Sequence, residues 1–121
     1  AYLKPSAEID KALQGLRNKI KLKYNLATTV GYGPRFLHST GQLHKGDNGN
    51  GLFLQLLADM PEDVPIPDSA GEPASSISFG ILKNSQVLGD RQALLNAGRK
   101  VVAVDLGQDI LKGIKILWDV I

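Results

Sequence analysis

The chain has 121 residues, 43% of them apolar and 21% charged, with a net charge of +2 and no cysteine. That is enough apolar content for a folded domain with one modest core, which excludes a wholly disordered chain. The small net charge excludes a strong polyanion-binding field, and the missing cysteines exclude disulfides and thiolate chemistry and favour a cytosolic setting. No apolar run approaches the ~20 residues of a membrane span. The N-terminal "AYLKPSAEID" lacks the basic-then-apolar layout of a signal peptide and does not begin with methionine. An excised piece of a longer protein is expected, a processed terminus being the alternative.

Residues 5–24 are expected to form a helix, because Ile9, Leu13, Leu16 and Ile20 recur at helical spacing. Pro5 or Ser6 suits its start, and Glu8 and Asp10 suit its positive end. Arg17, Lys19, Lys21 and Lys23 complement the negative end; this reads as a solvated helix end rather than a phosphate site. "LATTVGYG", Leu26 to Gly33, has β-branched residues followed by glycines and predicts a short strand running into a loop. A glycine-rich polar loop follows, Gly33 to Gly51, and it holds both histidines of the chain. "GLFLQLLAD", Gly51 to Asp59, predicts a strand buried on both faces, with a buried helix turn as the alternative.

Residues 60–75 contain four prolines and several acids. They predict a mobile loop, able to act as a flap. A helix is expected from about Phe79 to Ala97, stopped by Gly98, with Gly89 marking close packing or a break. Val101–Leu106 predicts a second apolar strand ended by Gly107. A last helix from about Asp109 should bury Ile110, Ile114, Leu117 and Ile121. This alternation predicts a single α/β domain over residues 1–121: a small sandwich with a short, largely parallel sheet of about three strands flanked by helices.

The loop carries the candidate chemistry. "GDNGNG" lacks the lysine-serine ending of a nucleotide-binding loop and reads first as a tight turn. His44, between Leu43 and Lys45 in a polar segment, is no core histidine by context. An ordinary imidazole titrates at about 6.5, so it can give or take a proton near neutral pH. His38 and His44 could share a metal with Asp47, but the spacing matches no common ligand motif, and no metal is expected. Arg35 offers a planar fork for phosphate or carboxylate, or a structural bond to a loop carbonyl. Gln42 and Lys45 complete the polar groups that a ligand in this loop could meet. Lys112, in the first turn of the last helix, reads alone as a surface lysine.

The phrase "GYGPRFLHSTGQLHKG", the apolar strand after it and the acidic "PEDVPIPDS" together resemble the C-terminal region of phosphoglucose isomerases. The likeness is greatest to those fused to a transaldolase, and it covers almost the whole chain. The resemblance implies that His44 opens the sugar ring and that Lys112, five residues after Gly107, acts beside it. Arg35, His38, Gln42 and Lys45 would then face the sugar phosphate. It also implies upstream sugar-isomerase domains that hold the glutamate base and the phosphate cradle, no cofactor, cytoplasmic location and an inactive isolated fragment. A homo-oligomer fits this picture; nucleic-acid and membrane partners do not. The alternatives are a non-catalytic structural or oligomerisation cap and a phosphosugar-binding regulatory module.

Overall fold

A computed structural model describes all residues, 1–121. In chain order it contains α1 (Ala7–Tyr24), two 3-10 segments (Phe36–His38 and Thr40–Lys45), β1 (Leu52–Leu57), β2 (Pro65–Ile66) and β3 (Ile77–Ser78). Helix α2 (Phe79–Asn96), β4 (Lys100–Asp105) and α3 (Ile110–Val120) follow. β1 and β4 pair as a two-stranded parallel sheet, and β2 and β3 pair as a second, antiparallel one. The α/β class expected from the sequence is therefore present. Residue contacts gather in two compact units.

The first unit comprises residues 1–33, 54–59 and 103–121. Its core is Leu3, Ile9, Leu13, Leu16, Leu56, Leu106 and Ile114, with Ile20, Ile110, Leu117 and Ile121 packed around it. The members from α1 and α3 are the stripes read from the 3.6-residue periodicity of those helices. Burying each such side chain contributes about 1.5–3 kcal/mol. The start of α1 is fixed by Ser6, whose Oγ accepts from the Ile9 N–H at 3.2 Å. Its end is fixed by Asn25, which adopts the left-handed conformation with φ 53°. Asp109 caps α3 in the same manner as Ser6 caps α1, accepting from the Lys112 N–H at 3.0 Å. Gly113 lets α3 lie close on the chain after β4: a Cβ there would sit 2.4 Å from the Leu106 carbonyl oxygen.

The strand expected over Leu26–Gly33 does not form. Thr28 is tied instead to α1: Arg17 donates to its carbonyl and its hydroxyl donates to the Arg17 carbonyl. The position beside β1 goes to the N-terminal residues, where Tyr2 forms a parallel bridge with Leu57 and its N–H donates to the Leu56 carbonyl at 2.8 Å. The end of the segment pairs with the N-terminal residue instead: the Ala1 amine donates to the Gly31 carbonyl at 2.8 Å, and the Gly33 N–H donates to the Ala1 carbonyl at 2.9 Å. The expectation that β1 is buried on both faces also fails. Gln55 and Leu56 are buried, while Leu52 is 69% exposed. A sheet of two strands cannot surround its own members as a wide parallel sheet does.

The second unit comprises residues 34–53 and 60–102. Helix α2 buries Gly80, Val87, Asp90 and Leu94 along one stripe. It is continuous through Gly89, which is exposed with open space where a Cβ would point, so that glycine marks neither close packing nor a break. Gly98, with φ 75°, follows its last turn. The proline-rich segment is anchored to the start of α2. Phe79 N–H donates to the Val64 carbonyl, and Asp63 accepts from the Ser78 hydroxyl and from the Gly80 N–H. Asp68 accepts from the backbone and side chain of Ser76.

Candidate functional site

The site lies in the second unit and is built around the two 3-10 segments. Their shortness follows from composition. Gly33 and Pro34 precede them, Gly46 ends the second, and Ser39 turns the chain between them, its hydroxyl donating to the Arg35 carbonyl at 2.8 Å. Gly41 is buried under the Phe36 ring, where a Cβ would meet ring carbon at 2.4 Å. Such runs of i,i+3 bonding hold only a few residues each. Here they bring the polar residues of the loop back toward α2 and the residue that follows it.

Arg99 is the principal anchor. Its side chain is 8% exposed. Nε donates to the His44 carbonyl at 2.8 Å, Nη2 to the Asp47 carbonyl at 2.7 Å and Nη1 to the Ala97 carbonyl at 2.8 Å. Nη2 also lies 3.0 Å from Asp47 Oδ1. One planar guanidinium thus fixes the backbone on both sides of Lys45 and Gly46, a use that suits arginine and not lysine. Gly49 is required beside it. Its φ is +80°, and a Cβ there would lie 2.8 Å from Nη1 of Arg99. The Gly49 N–H donates to Asp47 Oδ1 at 2.9 Å. "GDNGNG" is therefore a tight turn closed on its own aspartate, in line with the first reading of that phrase.

His44 is held from several sides. Its ring packs edge-on to Phe53, with centroids 5.4 Å apart, and at a tilt to Phe36, at 6.0 Å. Its Nδ1 lies 3.4 Å from Asp47 Oδ2, and the side chain keeps 34% of its surface exposed. The carboxyl of Asp47 is held below its ordinary value by the Gly49 N–H first, then by His44 and Arg99. It is therefore an anion at neutral pH, and an anion can only accept. The contact requires the proton on Nδ1.

A second carboxylate organises the rest of the loop. Asp90 is 3% exposed, in the middle of the buried stripe of α2. His38 Nε2 lies 3.1 Å from its Oδ1, and Lys45 Nζ lies 3.3 Å from the same atom. His38 and Lys45, both expected to face a ligand, are thus drawn to a buried carboxylate that sequence reasoning passed over. The signal was present: in the stripe of Val87 and Leu94, position 90 is where a helix of this kind carries an apolar residue. Arg99, the other residue missed, carries no comparable mark in the sequence.

Arg35 and Gln42 are exposed at the rim of the same segments. Lys112 is exposed on α3, in the first unit, so the structure assembles His38, His44, Lys45, Asp47, Asp90 and Arg99 without it. His38, His44 and Asp47 do not converge, and no group of three or more His, Asp or Glu side chains could hold a metal ion. No helix is long and apolar enough to cross a membrane.

No protein-family model matches the chain. No curated protein matches it either. Among solved structures, a hypothetical protein from Thermus thermophilus is similar in fold, with a TM-score of 0.61 and 24% identity over 73% of this chain. The chain covers 22% of that protein's length, so the similarity is to about a fifth of a longer polypeptide.

Proposed function

We propose that this chain is the C-terminal domain of a glucose-6-phosphate isomerase, of the kind fused to a transaldolase, and that it supplies His44 to a composite active site. The observation that supports this reading is the treatment of His44. It is a half-exposed imidazole with its backbone gripped by a buried arginine, its ring set between two aromatic rings and its Nδ1 turned to a carboxylate. Such support keeps a proton-transfer group in place without burying it. The sequence phrase around it resembles the isomerase loop.

The chemistry asked of His44 is ring opening. The anomeric hydroxyl loses its proton to Nε2, the C1–O5 bond breaks as C1=O1 forms, and O5 receives a proton from the imidazolium. The later transfer between C1 and C2 needs a carboxylate base, which this reading assigns to upstream sugar-isomerase domains along with the phosphate site. Lys112 belongs to this reading through the resemblance alone. Arg35 and Gln42, at the rim, remain the groups here that would meet the sugar phosphate; His38 and Lys45 are committed to Asp90. The cytoplasm is the expected compartment for this reaction.

His44→Ala in the full-length protein tests the reading, assayed with glucose 6-phosphate and with fructose 6-phosphate. A positioned acid–base group contributes about 10²–10⁴-fold, so turnover should fall by that much in both directions. Unchanged turnover would remove His44 from the mechanism.

A second reading is a non-catalytic cap or oligomerisation element. It is favoured by the outer stripe of α2, where Ile81, Leu88 and Leu95 recur at seven-residue spacing and are 56%, 60% and 46% exposed. A sugar phosphate bound far from His44 in the full-length protein would favour this second reading.

A further inference from the structure

The two histidines of the chain meet two different carboxylates through two different ring nitrogens. His44 presents Nδ1 to Asp47 Oδ2 at 3.4 Å, and His38 presents Nε2 to Asp90 Oδ1 at 3.1 Å. A neutral imidazole carries one proton, and the hydrogen bond made by one nitrogen decides the state of the other. We infer that Asp47 is a positioning residue for His44: it accepts from Nδ1–H and so leaves Nε2 as the nitrogen that exchanges a proton with substrate.

The geometry gives each part of this arrangement a cause. Asp47 could turn away from the imidazole, since it is 38% exposed. It does not, because its other oxygen, Oδ1, is occupied by the Gly49 N–H at 2.9 Å and by Arg99 Nη2 at 3.0 Å. With Oδ1 so held, Oδ2 is the oxygen presented to His44. Arg99 adds a second restraint by gripping the His44 carbonyl, so backbone and ring are fixed by one connected set of groups. The Phe36 and Phe53 rings limit rotation of the imidazole about its own axis. The neighbouring cation, Lys45, has its ammonium directed to Asp90, 3.3 Å away.

His38 lacks any comparable enclosure. Its side chain is 60% exposed, and its partner Asp90 is shared with Lys45. It acts as a tether for the first 3-10 segment. The chain thus separates its histidines by role: the His44 ring is held through Nδ1, and the His38 ring lies beside Asp90 in the open.

The inference rests on the reading of His44 as the ring-opening group only for its catalytic consequence; the tautomers can be measured without it. Protein labelled with ring-¹⁵N histidine is examined at a pH of about 8.5, about two units above the ordinary imidazole value. His44 should show a protonated Nδ1 and a bare Nε2, its signals being told from those of His38 by their loss in His44→Gln. In Asp47→Asn the side-chain amide can donate to a bare Nδ1. His44 should then shift toward the Nε2–H tautomer while the His38 signals stay in place. In the isomerase assay the same variant should lose about tenfold or more in kcat with KM within about twofold, the signature of an interaction needed in the transition state.

A wild-type His44 protonated on Nε2, or a tautomer unmoved in Asp47→Asn, would overturn the inference. The two ideas fail separately. Intact turnover in His44→Ala would end the ring-opening role and leave the tautomer assignment standing. Lost turnover in His44→Ala, with the tautomer unmoved in Asp47→Asn, would end the positioning role alone.

Discussion

Replacing Arg99 by methionine keeps the length and apolar stem of the side chain and removes the fork. Three carbonyl oxygens, those of His44, Asp47 and Ala97, then lose a charged donor at 2.7–2.8 Å. Hydrogen bonds to charged groups contribute about 1.5–3 kcal/mol each, and loop carbonyls can be partly rehydrated, so the low end applies. The expected loss is about 3–5 kcal/mol, a large share of the 5–15 kcal/mol that a domain of this kind possesses. The ion pair with Asp47 is left out of this sum because solvent screens it. Urea unfolding measures the effect. At a slope of about 1.5 kcal/mol per molar, the midpoint should fall by about 2–3 M with the slope unchanged. Arg99→Lys keeps the charge but not the planar fork, and should fall between the two. A methionine variant that unfolds within about 0.5 M of the parent would show that the loop holds itself, and that the guanidinium is not its anchor.

Two glycine substitutions should move stability in opposite directions. Gly89→Ala, in the exposed middle of α2 with open space around it, should stabilise by about 0.5–1 kcal/mol in thermal or urea unfolding. Gly113→Ala should destabilise by about 1–3 kcal/mol, because the new methyl group would meet the Leu106 backbone at 2.4 Å. Acid should weaken the fold through Asp63 and Asp68. The Ser78 hydroxyl and Gly80 N–H hold the first below its ordinary value of 3.8, and the Ser76 hydroxyl and N–H hold the second below the same value. The unfolded chain therefore binds these protons first. The stabilisation is fully present above pH 3.8 and is lost as pH falls through the lower folded values. The urea midpoint should fall along that course, and the fall should be smaller in Asp63→Asn.

The helices were legible because each announces itself within a few residues. Ile9, Leu13 and Leu16 state the buried face of α1, and Ser6 and Asn25 are residue types that suit its ends. Gly98 and Gly107, both at positive φ, mark where α2 and β4 give way. The segment Leu26–Gly33 shows the limit of such local signals. Its composition favours an extended backbone, and what that backbone pairs with is set by Ala1, which donates to Gly31 and accepts from Gly33 across about thirty residues of chain. The same limit explains β1. "LFLQLL" reads as interior from its residues alone, yet the exposure of Leu52 is set by how many elements exist to cover it.

The candidate site divides along the same line. His44 could be picked out because a histidine in a polar, glycine-rich loop is unusual by itself. What holds it could not be. Arg99 is 55 residues from His44, and Asp90 is 45 residues from Lys45. No local pattern links either pair. His38 and Lys45 read as ligand-facing groups, and the structure adds a partner for both, a carboxylate set into the buried stripe of a helix. Removing the Lys45 ammonium from beside the buried Asp90 would be costly, since a buried charge that loses its partner destabilises strongly. The same pairing also ties both 3-10 segments to α2, His38 from the first and Lys45 from the second. Asp90 and Arg99 therefore do for the loop what an apolar core does for the first unit. They fix a short, glycine-broken segment that has too little apolar surface to fix itself, and they do so while leaving the His44 ring partly open to solvent.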